Sequence, residues 1–218
     1  MPANAKSVIK KGLLVLGIFM LGMMAGGGLT WYYFSGDLWR EPAPKEHKHT
    51  WAAPVELPGV PKLYIVSADF WRSAQPNRGG FRRLADLGVR TVINVRDDHR
   101  DTEQMAGTGM ELIHIPMVTT EPNHQDVRQF IDAVRDADKP LLVHCHYGAD
   151  RTGLQTAIYR IAFQGWTVEQ ALAEMTRGGF GFHGIYEEIP AFLRSLDAGK
   201  LRTLARGEPL DANATLAK

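Results

Sequence analysis

Hydrophobic residues follow two different periods along the middle of the chain. Short aliphatic runs, most of them rich in β-branched residues, predict strands at residues 63–66, 91–95, 111–115 and 141–144. Apolar residues that recur every three or four positions predict helices at residues 81–87 and 125–137, and three more with apolar faces beginning at Leu154, Val168 and Ile189. Strands and helices in alternation are typical of an α/β fold with a central, mainly parallel sheet flanked by helices.

A different pattern occupies the N-terminus. Residues 12–36 carry no charged side chain, and Lys6, Lys10 and Lys11 precede them. A run of this length can cross the hydrocarbon core of a bilayer, roughly 30 Å thick, as a helix. Because lysines stay on the cytoplasmic side, we expect a single-pass transmembrane helix in the inner membrane, with the rest of the chain in the periplasm. A cleaved signal peptide that releases a soluble periplasmic protein is the alternative.

These patterns divide the chain into four segments. We assign residues 1–36 to the membrane anchor or signal segment, 37–62 to a linker, 63–201 to the α/β domain and 202–218 to a C-terminal tail. The linker assignment rests on five prolines and on the lack of a clear apolar period.

Composition narrows the possible functions. The 218 residues include 25 Lys and Arg against 24 Asp and Glu, which gives a net charge of +1. A nucleic-acid-binding protein needs a concentrated excess of basic residues, so we expect no nucleic-acid partner. A single cysteine, Cys145, excludes an intramolecular disulfide and a cysteine-rich zinc site. His144 and His146 have no third ligand beside them in the sequence, and we expect no metal.

The candidate chemistry lies where the strand at 141–144 meets the following helix. Cys145 and Arg151 stand there with five residues between them. We call residues 145–151 the nucleophile loop, because so short a loop can turn backbone N–H groups inward around an anion at a helix N-terminus. The same field stabilises a thiolate, which makes Cys145 the predicted nucleophile. The planar guanidinium of Arg151 is predicted to grip two phosphoryl oxygens.

The remaining loop residues complete a predicted phosphate-binding set. Its members are His146, Tyr147, Gly148, Ala149, Thr152 and Gly153. The first four shape the loop and present their backbone amides, and Thr152 is placed to donate its hydroxyl to the cysteine sulfur.

Residues 144–153 resemble the His-Cys-x5-Arg-Ser/Thr-Gly signature of the protein tyrosine and dual-specificity phosphatases. Further segments, at 70–76, 87–96, 159–161, 164–166 and 177–181, are similar to small microbial dual-specificity phosphatases, in particular the exported TpbA-type enzymes of Gram-negative bacteria. The resemblance implies a dual-specificity phosphatase fold, no metal or organic cofactor, and a phosphorylated protein substrate. It implies hydrolysis of phosphotyrosine, with phosphoserine and phosphothreonine left open, through a phosphocysteine intermediate.

The chain departs from this family at the general acid. The family usually takes an Asp shortly after the strand that ends here at Ile115, but the nearest acid in this chain is Glu121. Asp150 stands directly before Arg151, an arrangement that resembles myotubularin lipid phosphatases and certain secreted bacterial tyrosine phosphatases. We therefore predict that Asp150 is the general acid and keep Glu121 as the alternative. Asp97 and Asp98 form a third pair of candidates, better explained as a charged turn.

Two other functions remain open. A phosphoinositide or phospholipid phosphatase is favoured by the predicted anchor and by Asp150, although the nucleophile loop has no lysine for a highly charged headgroup. A catalytically weak phosphate-binding module is suggested by the missing acid, while the complete set of Cys145, Arg151 and Thr152 argues against it.

Overall fold

Six strands form a mixed sheet in the part of the chain that the computed structural model describes, namely residues 50–98, 100–210 and 214–218. The strands are β1 (Ala53–Leu57), β2 (Val60–Ile65), β3 (Phe70–Ser73), β4 (Thr91–Asn94), β5 (Glu111–His114) and β6 (Leu141–His144). Their order across the sheet is β1-β2-β3-β6-β4-β5.

The parallel part of the sheet positions the candidate site. Strands β3, β6, β4 and β5 run parallel, and their last residues, Ser73, His144, Asn94 and His114, are in register. The loops that leave these strands therefore emerge side by side at one edge of the sheet, where α/β proteins bind their ligands. The predicted α/β fold is confirmed, but the sheet is mixed, because β1 and β2 add an antiparallel hairpin beside β3.

This hairpin lies in the segment that the sequence pattern assigns to the linker. Strand β1 is an edge strand with exposed or half-buried side chains throughout, so its sequence shows no apolar alternation. Prolines are tolerated there because an edge strand leaves N–H positions unpaired. Pro54 lies in β1, and the carbonyl of Pro61 in β2 accepts a hydrogen bond from the Ala74 N–H at 2.9 Å. The folded unit thus begins near residue 50 rather than at 63.

Helices cover both faces of the sheet, as predicted. They are α1 (Arg78–Asp86), α2 (His124–Asp136), α3 (Asp150–Gln164), α4 (Val168–Arg177), α5 (Glu188–Ser195) and α6 (Ala198–Ala205). Phe81 and Leu84 of α1 pack with Val92 and Leu142 on one face. The other helices enclose the larger core on the opposite face, which includes Val143. A capping box between Thr167 and Gln170 begins α4.

The C-terminal segment is part of the domain as far as the structure describes it. Helix α6 extends to Ala205, Leu216 is fully buried, and Leu196 and Ala217 form an antiparallel bridge. The boundary that the sequence suggests near residue 201 therefore falls inside packed structure.

The predicted anchor at 1–36 lies outside the described residues. Within those residues, no helix has both the length and the apolar character that a bilayer span requires.

Candidate active site

The nucleophile loop connects the carboxyl end of β6 to the first turn of α3. Cys145 follows the last residue of β6 and is buried, with 3% of its surface exposed. Helix α3 begins at Asp150, and its N-cap residue, Ala149, has no side chain that could accept from the first N–H groups. Those amides are left for an anion bound at the helix N-terminus. The predicted strand, loop and helix arrangement around Cys145 is therefore present in the structure.

Gly148 allows the loop to close tightly against the neighbouring strand. Its φ of +66° lies in the left-handed region, and an added Cβ would come within 2.5 Å of the Ala74 backbone nitrogen. Any side chain is excluded by both conformation and space. The carbonyl of Gly148 accepts a hydrogen bond from Nη2 of Arg72 at 2.5 Å. Residue 148 thus fixes the loop against the end of β3.

Arg72 is a buried cation beneath the loop. It is only 1% exposed, and its guanidinium stacks on the ring of Phe180 at 3.9 Å from the centroid. Burial lowers the pKa of Arg72 to about 10, although the negative charge of Cys145 acts to raise it. The side chain therefore remains charged at neutral pH, close enough to the nucleophile for its field to act there. Its place in strand β3 was not predicted from the hydrophobic pattern.

His144 and Asp101 support the loop from the core side. Nδ1 of His144 lies 3.2 Å from the Cys145 carbonyl oxygen, and Nε2 lies 2.9 Å from Oδ2 of Asp101, outside the alignment of a linear hydrogen bond. Asp101 also accepts hydrogen bonds from the side-chain amides of Gln75 at 2.5 Å and Asn94 at 2.7 Å. These contacts make His144 a buried support of the loop. Asp101 was missed, because its contacts come from three distant segments.

The pKa of Asp101 reflects these contacts. Burial acts to raise it, but the close contact and charge of His144, the amide of Gln75 and the field of Arg96 outweigh burial and bring the pKa below its ordinary value. Asp101 is therefore an ionised acceptor in the core beside the nucleophile loop.

Arg151 and Thr152 lie in the first turn of α3. Nη1 of Arg151 donates to the carbonyl oxygen of Met117 at 3.1 Å and to Oδ1 of Asp97 at 3.0 Å. The structure thus brings Asp97, one of the third pair of acid candidates, to the arginine. Thr152 is fully buried, and its hydroxyl has no partner among the described residues. Gly153 lies where helix α3 meets α4, and an added Cβ would come within 3.0 Å of Met175.

Asp150 forms a paired contact with a histidine from a distant loop. Its Oδ1 accepts from the backbone N–H of His183 at 2.9 Å, and its Oδ2 lies 2.7 Å from Nδ1 of the same residue. Asp150 is 6% exposed, whereas Glu121 is exposed and follows a turn that begins at Val118. His183 was missed at the level of sequence, because it lies 33 residues from Asp150 and follows no motif.

The rim of the site is aromatic. Tyr147 is 60% exposed and makes edge contacts with the rings of His146 and His183. Ile185, in the same loop as His183, is 79% exposed.

Within the described residues, no group of three or more His, Cys, Asp or Glu side chains is arranged to hold a metal ion.

Comparison with known proteins gives consistent matches. Residues 64–191 match the family model described as "DSP-PTPase phosphatase fused to NAD+ Kinase". The dual specificity protein phosphatase TpbA of Pseudomonas aeruginosa is 33% identical over 201 residues, which cover 89% of this chain and 83% of the relative. The crystal structure of that protein superposes with a TM-score of 0.64 at 33% identity, over 72% of this chain and 96% of the relative. A structure of TpbA in complex with phosphotyrosine gives the same TM-score at 31% identity, over 73% and 98% of the two chains.

Proposed function

The chain belongs to the dual-specificity phosphatase family, and from that premise we propose that it hydrolyses phosphotyrosine on a protein substrate through a phosphocysteine intermediate. It is a cysteine-dependent phosphatase, as its family is. Phosphoserine and phosphothreonine are the secondary substrates that we propose, in keeping with dual specificity.

The observation that carries the proposal is the geometry of the nucleophile loop. Cys145 stands at the end of a central strand, and Arg151 lies in the first turn of the helix that follows. The free N–H groups at the start of α3 and the buried charge of Arg72 favour both a phosphate dianion and a thiolate there.

In the proposed reaction, the Cys145 thiolate attacks the phosphorus atom and displaces the phenol oxygen of the substrate. Arg151 exchanges its contact with Asp97 for two phosphoryl oxygens, whose charge grows in the transition state. The loop amides from His146 to Ala149 surround the phosphate. The unpartnered hydroxyl of Thr152 donates to the sulfur when the intermediate is hydrolysed. Water then attacks phosphorus, inorganic phosphate leaves and the thiolate is restored.

The rim favours an aromatic substrate. Tyr147 exposes an aromatic surface in the nucleophile loop, which suits the phenyl ring of phosphotyrosine. The phosphotyrosine complex of TpbA shows that a 31% identical relative binds this group. A phosphoinositide headgroup would need more positive charge than the loop residues His146, Tyr147, Ala149 and Asp150 provide.

We also propose that the domain faces the periplasm from a single-pass anchor in the inner membrane. The support comes from the sequence alone: the uncharged run at 12–36 and the three lysines before it.

A substrate panel tests the proposed function. Purified full-length protein should release phosphate from phosphotyrosine peptides faster than from phosphoserine peptides or phosphoinositide vesicles. Cys145→Ser should reduce turnover about a thousandfold or more, since a hydroxyl is a poor nucleophile in this site. Arg151→Lys should cost about a hundredfold, because an ammonium cannot replace the bidentate fork.

The controls decide between the functions. Phosphate binding by Cys145→Ser should stay close to wild type, which separates a lost nucleophile from a lost fold. Faster hydrolysis of phosphoinositides would favour the lipid phosphatase, and binding without turnover by the wild type would favour the phosphate-binding module.

A further inference from the structure

The loop between α4 and α5 places His183 against the nucleophile loop. Its backbone N–H and its Nδ1 both contact the carboxylate of Asp150, at 2.9 and 2.7 Å. Its ring also meets the ring of Tyr147 edge-on, with 6.0 Å between the centroids. His183 therefore contacts two residues of the loop that carries Cys145 and Arg151.

The hydrogen bonds assign different chemical roles to Asp150 and His183. Oδ1 of Asp150 accepts from the backbone N–H of His183, and Oδ2 lies against Nδ1 of the ring, so His183 engages both carboxylate oxygens. Because Nδ1 of His183 is held against Asp150, the nitrogen left to exchange a proton with a substrate is Nε2. Nε2 has no hydrogen-bond partner among the described residues, and 48% of the side chain is exposed, against 9% for Asp150. The group able to transfer a proton is the histidine.

The other acids near the site are less suited to this task. Asp97 pairs with Arg151 at 3.0 Å, so its carboxylate competes with the phosphate for the guanidinium. Asn123, the N-cap of helix α2, accepts from the backbone N–H of Asp126 and donates to its carboxylate, and Asp126 is 7% exposed. In the loop after β5, Glu121 is the nearest acid, and it is exposed to solvent.

We propose that His183 is the general acid and general base of the phosphatase reaction, and that Asp150 is the positioning residue that orients its ring. The proposal rests on the proposed cysteine mechanism. It replaces the prediction that Asp150 itself donates the proton.

His183 gives up one proton in the first step and regains one in the second. When the Cys145 thiolate bonds to phosphorus, the bond from phosphorus to the leaving oxygen breaks, and that oxygen takes its electron pair together with the proton on Nε2 of His183. The neutral imidazole then removes a proton from water as the water oxygen attacks phosphorus. The bond from sulfur to phosphorus breaks, the electron pair returns to sulfur, and phosphate leaves with His183 protonated again.

Three side chains from different parts of the site surround the imidazole ring of His183. Asp150 faces it from α3, Tyr147 from the nucleophile loop, and Tyr186 from its own loop with 6.2 Å between ring centroids. Lys62 reaches the backbone of this loop, with Nζ 3.4 Å from the carbonyl oxygen of Phe180. These are the ionisable neighbours against which any pH dependence that involves residue 183 is judged.

The experiment uses the full-length protein and a series of aryl phosphates with increasingly basic leaving groups. His183→Asn is the informative variant, because its amide can still donate to Asp150 from the position of Nδ1 but cannot transfer a proton. We expect kcat/KM, which reports the steps up to the phosphocysteine, to fall less than about threefold with p-nitrophenyl phosphate, whose leaving group needs no proton, and about a hundredfold with phenyl phosphate. The pH profile of kcat/KM with phenyl phosphate should also differ between the wild type and His183→Asn. A purely structural role would leave His183→Asn close to wild type with both substrates.

A double-mutant comparison separates the two residues. Asp150→Asn should lower kcat/KM for phenyl phosphate less than His183→Asn does, and the double variant should be no slower than His183→Asn alone. The same substitution in α2, His124→Asn, serves as the matched control and should leave the leaving-group dependence unchanged. If His183→Asn misfolds, His183→Gln, which places its amide near the position of Nε2, carries the same expectation.

The proposal is wrong if both histidine variants follow the wild-type leaving-group dependence. It is also wrong if Asp150→Asn, Asp97→Asn or Glu121→Gln gives the steeper dependence. Turnover by Cys145→Ser would instead overturn the cysteine mechanism, so the two failures are distinguishable.

Discussion

At the scale of single residues, the site is supported by charged groups that never meet the substrate. Arg72 lies under the loop, with its guanidinium against Phe180 and the carbonyl of Gly148. Asp101 lies beside His144, deeper in the core. Burial of a charge is unfavourable unless hydrogen bonds or opposite charges compensate it. Each of these two side chains can therefore stay charged in the core only because its contacts supply that compensation. The position of the loop therefore depends on these buried ions as well as on its own sequence.

The contribution of the buried Asp101 carboxylate to stability can be measured through its dependence on pH. Its pKa in the folded state is lowered, so its contribution to stability is fully present above the ordinary carboxyl pKa of about 4 and is lost as the pH falls through the folded value. Asp101→Asn should lower the free energy of unfolding by about 2 kcal/mol at pH 7, since a charged hydrogen-bond acceptor is lost. The wild type and the variant should converge below pH 4 in urea titrations.

The control for this prediction is Asp136→Asn. The pKa of Asp136 is also lowered, first by its hydrogen bond with Arg135, but the side chain is 65% exposed. Solvent screens such a pair, so this variant should change little at any pH. A loss for Asp101→Asn that stayed constant from pH 7 to pH 3 would contradict the assignment.

At the scale of elements, the turn from β6 into α3 depends on one residue without a side chain. Gly148 combines a left-handed backbone with contact to the end of β3, and its carbonyl is tied to Arg72. The amides of the following residues can surround a phosphate only while this turn is closed.

Gly148→Ala should open the turn. A Cβ within 2.5 Å of a backbone nitrogen cannot be accommodated without displacing either the loop or β3. We expect kcat/KM to fall more than about a hundredfold, because misplacement by about 1 Å already has an effect of that size. We also expect the free energy of unfolding to fall by about 2 to 4 kcal/mol, from backbone strain and overpacking together.

Gly165→Ala is the matched control for this substitution. Gly165 ends α3 with a similar φ of +73°, but nothing lies within 4 Å of the added Cβ. This variant should lose about 1 kcal/mol of stability from strain and keep its activity. Equal loss of activity in the two variants would show that helix α3, and not the turn, governs the site.

The sequence predicts those elements whose pattern is local. The four predicted strands and the helices at 81–87 and 125–137 agree with the structure within a few residues, and the loop around Cys145 is where the strand and helix pattern places it. Strand β1 was missed because exposed edge residues carry no apolar period. The contact between Asp150 and His183 was missed because it joins segments 33 residues apart, and only the packing of α4 against α3 brings them together. The residues of the nucleophile loop could therefore be predicted from the local sequence, whereas the residues that contact this loop through tertiary packing could not.

At the scale of the whole molecule, a buried ion pair fixes the point where the chain enters the domain. Arg160 and Glu174 contact each other through two hydrogen bonds, at 2.5 and 2.7 Å, and both are at most 3% exposed. Oε1 of Glu174 also accepts from the Ala52 N–H at 2.7 Å, and Arg160 donates to the Thr50 carbonyl at 3.3 Å. The tether from the proposed anchor to the domain is therefore shortened from residues 37–62 to residues 37–49, which reach at most about 45 Å when fully extended.

The last prediction concerns the orientation of this tether. Three lysines before an uncharged run should hold the N-terminus in the cytoplasm. An alkaline phosphatase reporter joined after Lys48, before the folded unit begins, should therefore be active in the periplasm, and the native protein should remain with membranes after a salt wash. Replacing Lys6, Lys10 and Lys11 together with Gln should lower the reporter activity, because the charge bias that sets the orientation is removed.

The control for this experiment replaces Lys45 and Lys48 with Gln. These lysines follow the uncharged run, so if the orientation is set by the N-terminal charges, their loss should not lower the reporter activity. A soluble periplasmic protein that begins near Leu29 would show that the run is a cleaved signal, and an inactive reporter would place the domain in the cytoplasm. With a tether of at most about 45 Å, an anchored enzyme reaches only phosphoproteins near the periplasmic face of the membrane, whereas a released one is free of that limit. The form of the N-terminus therefore decides which substrates the Cys145 site can meet.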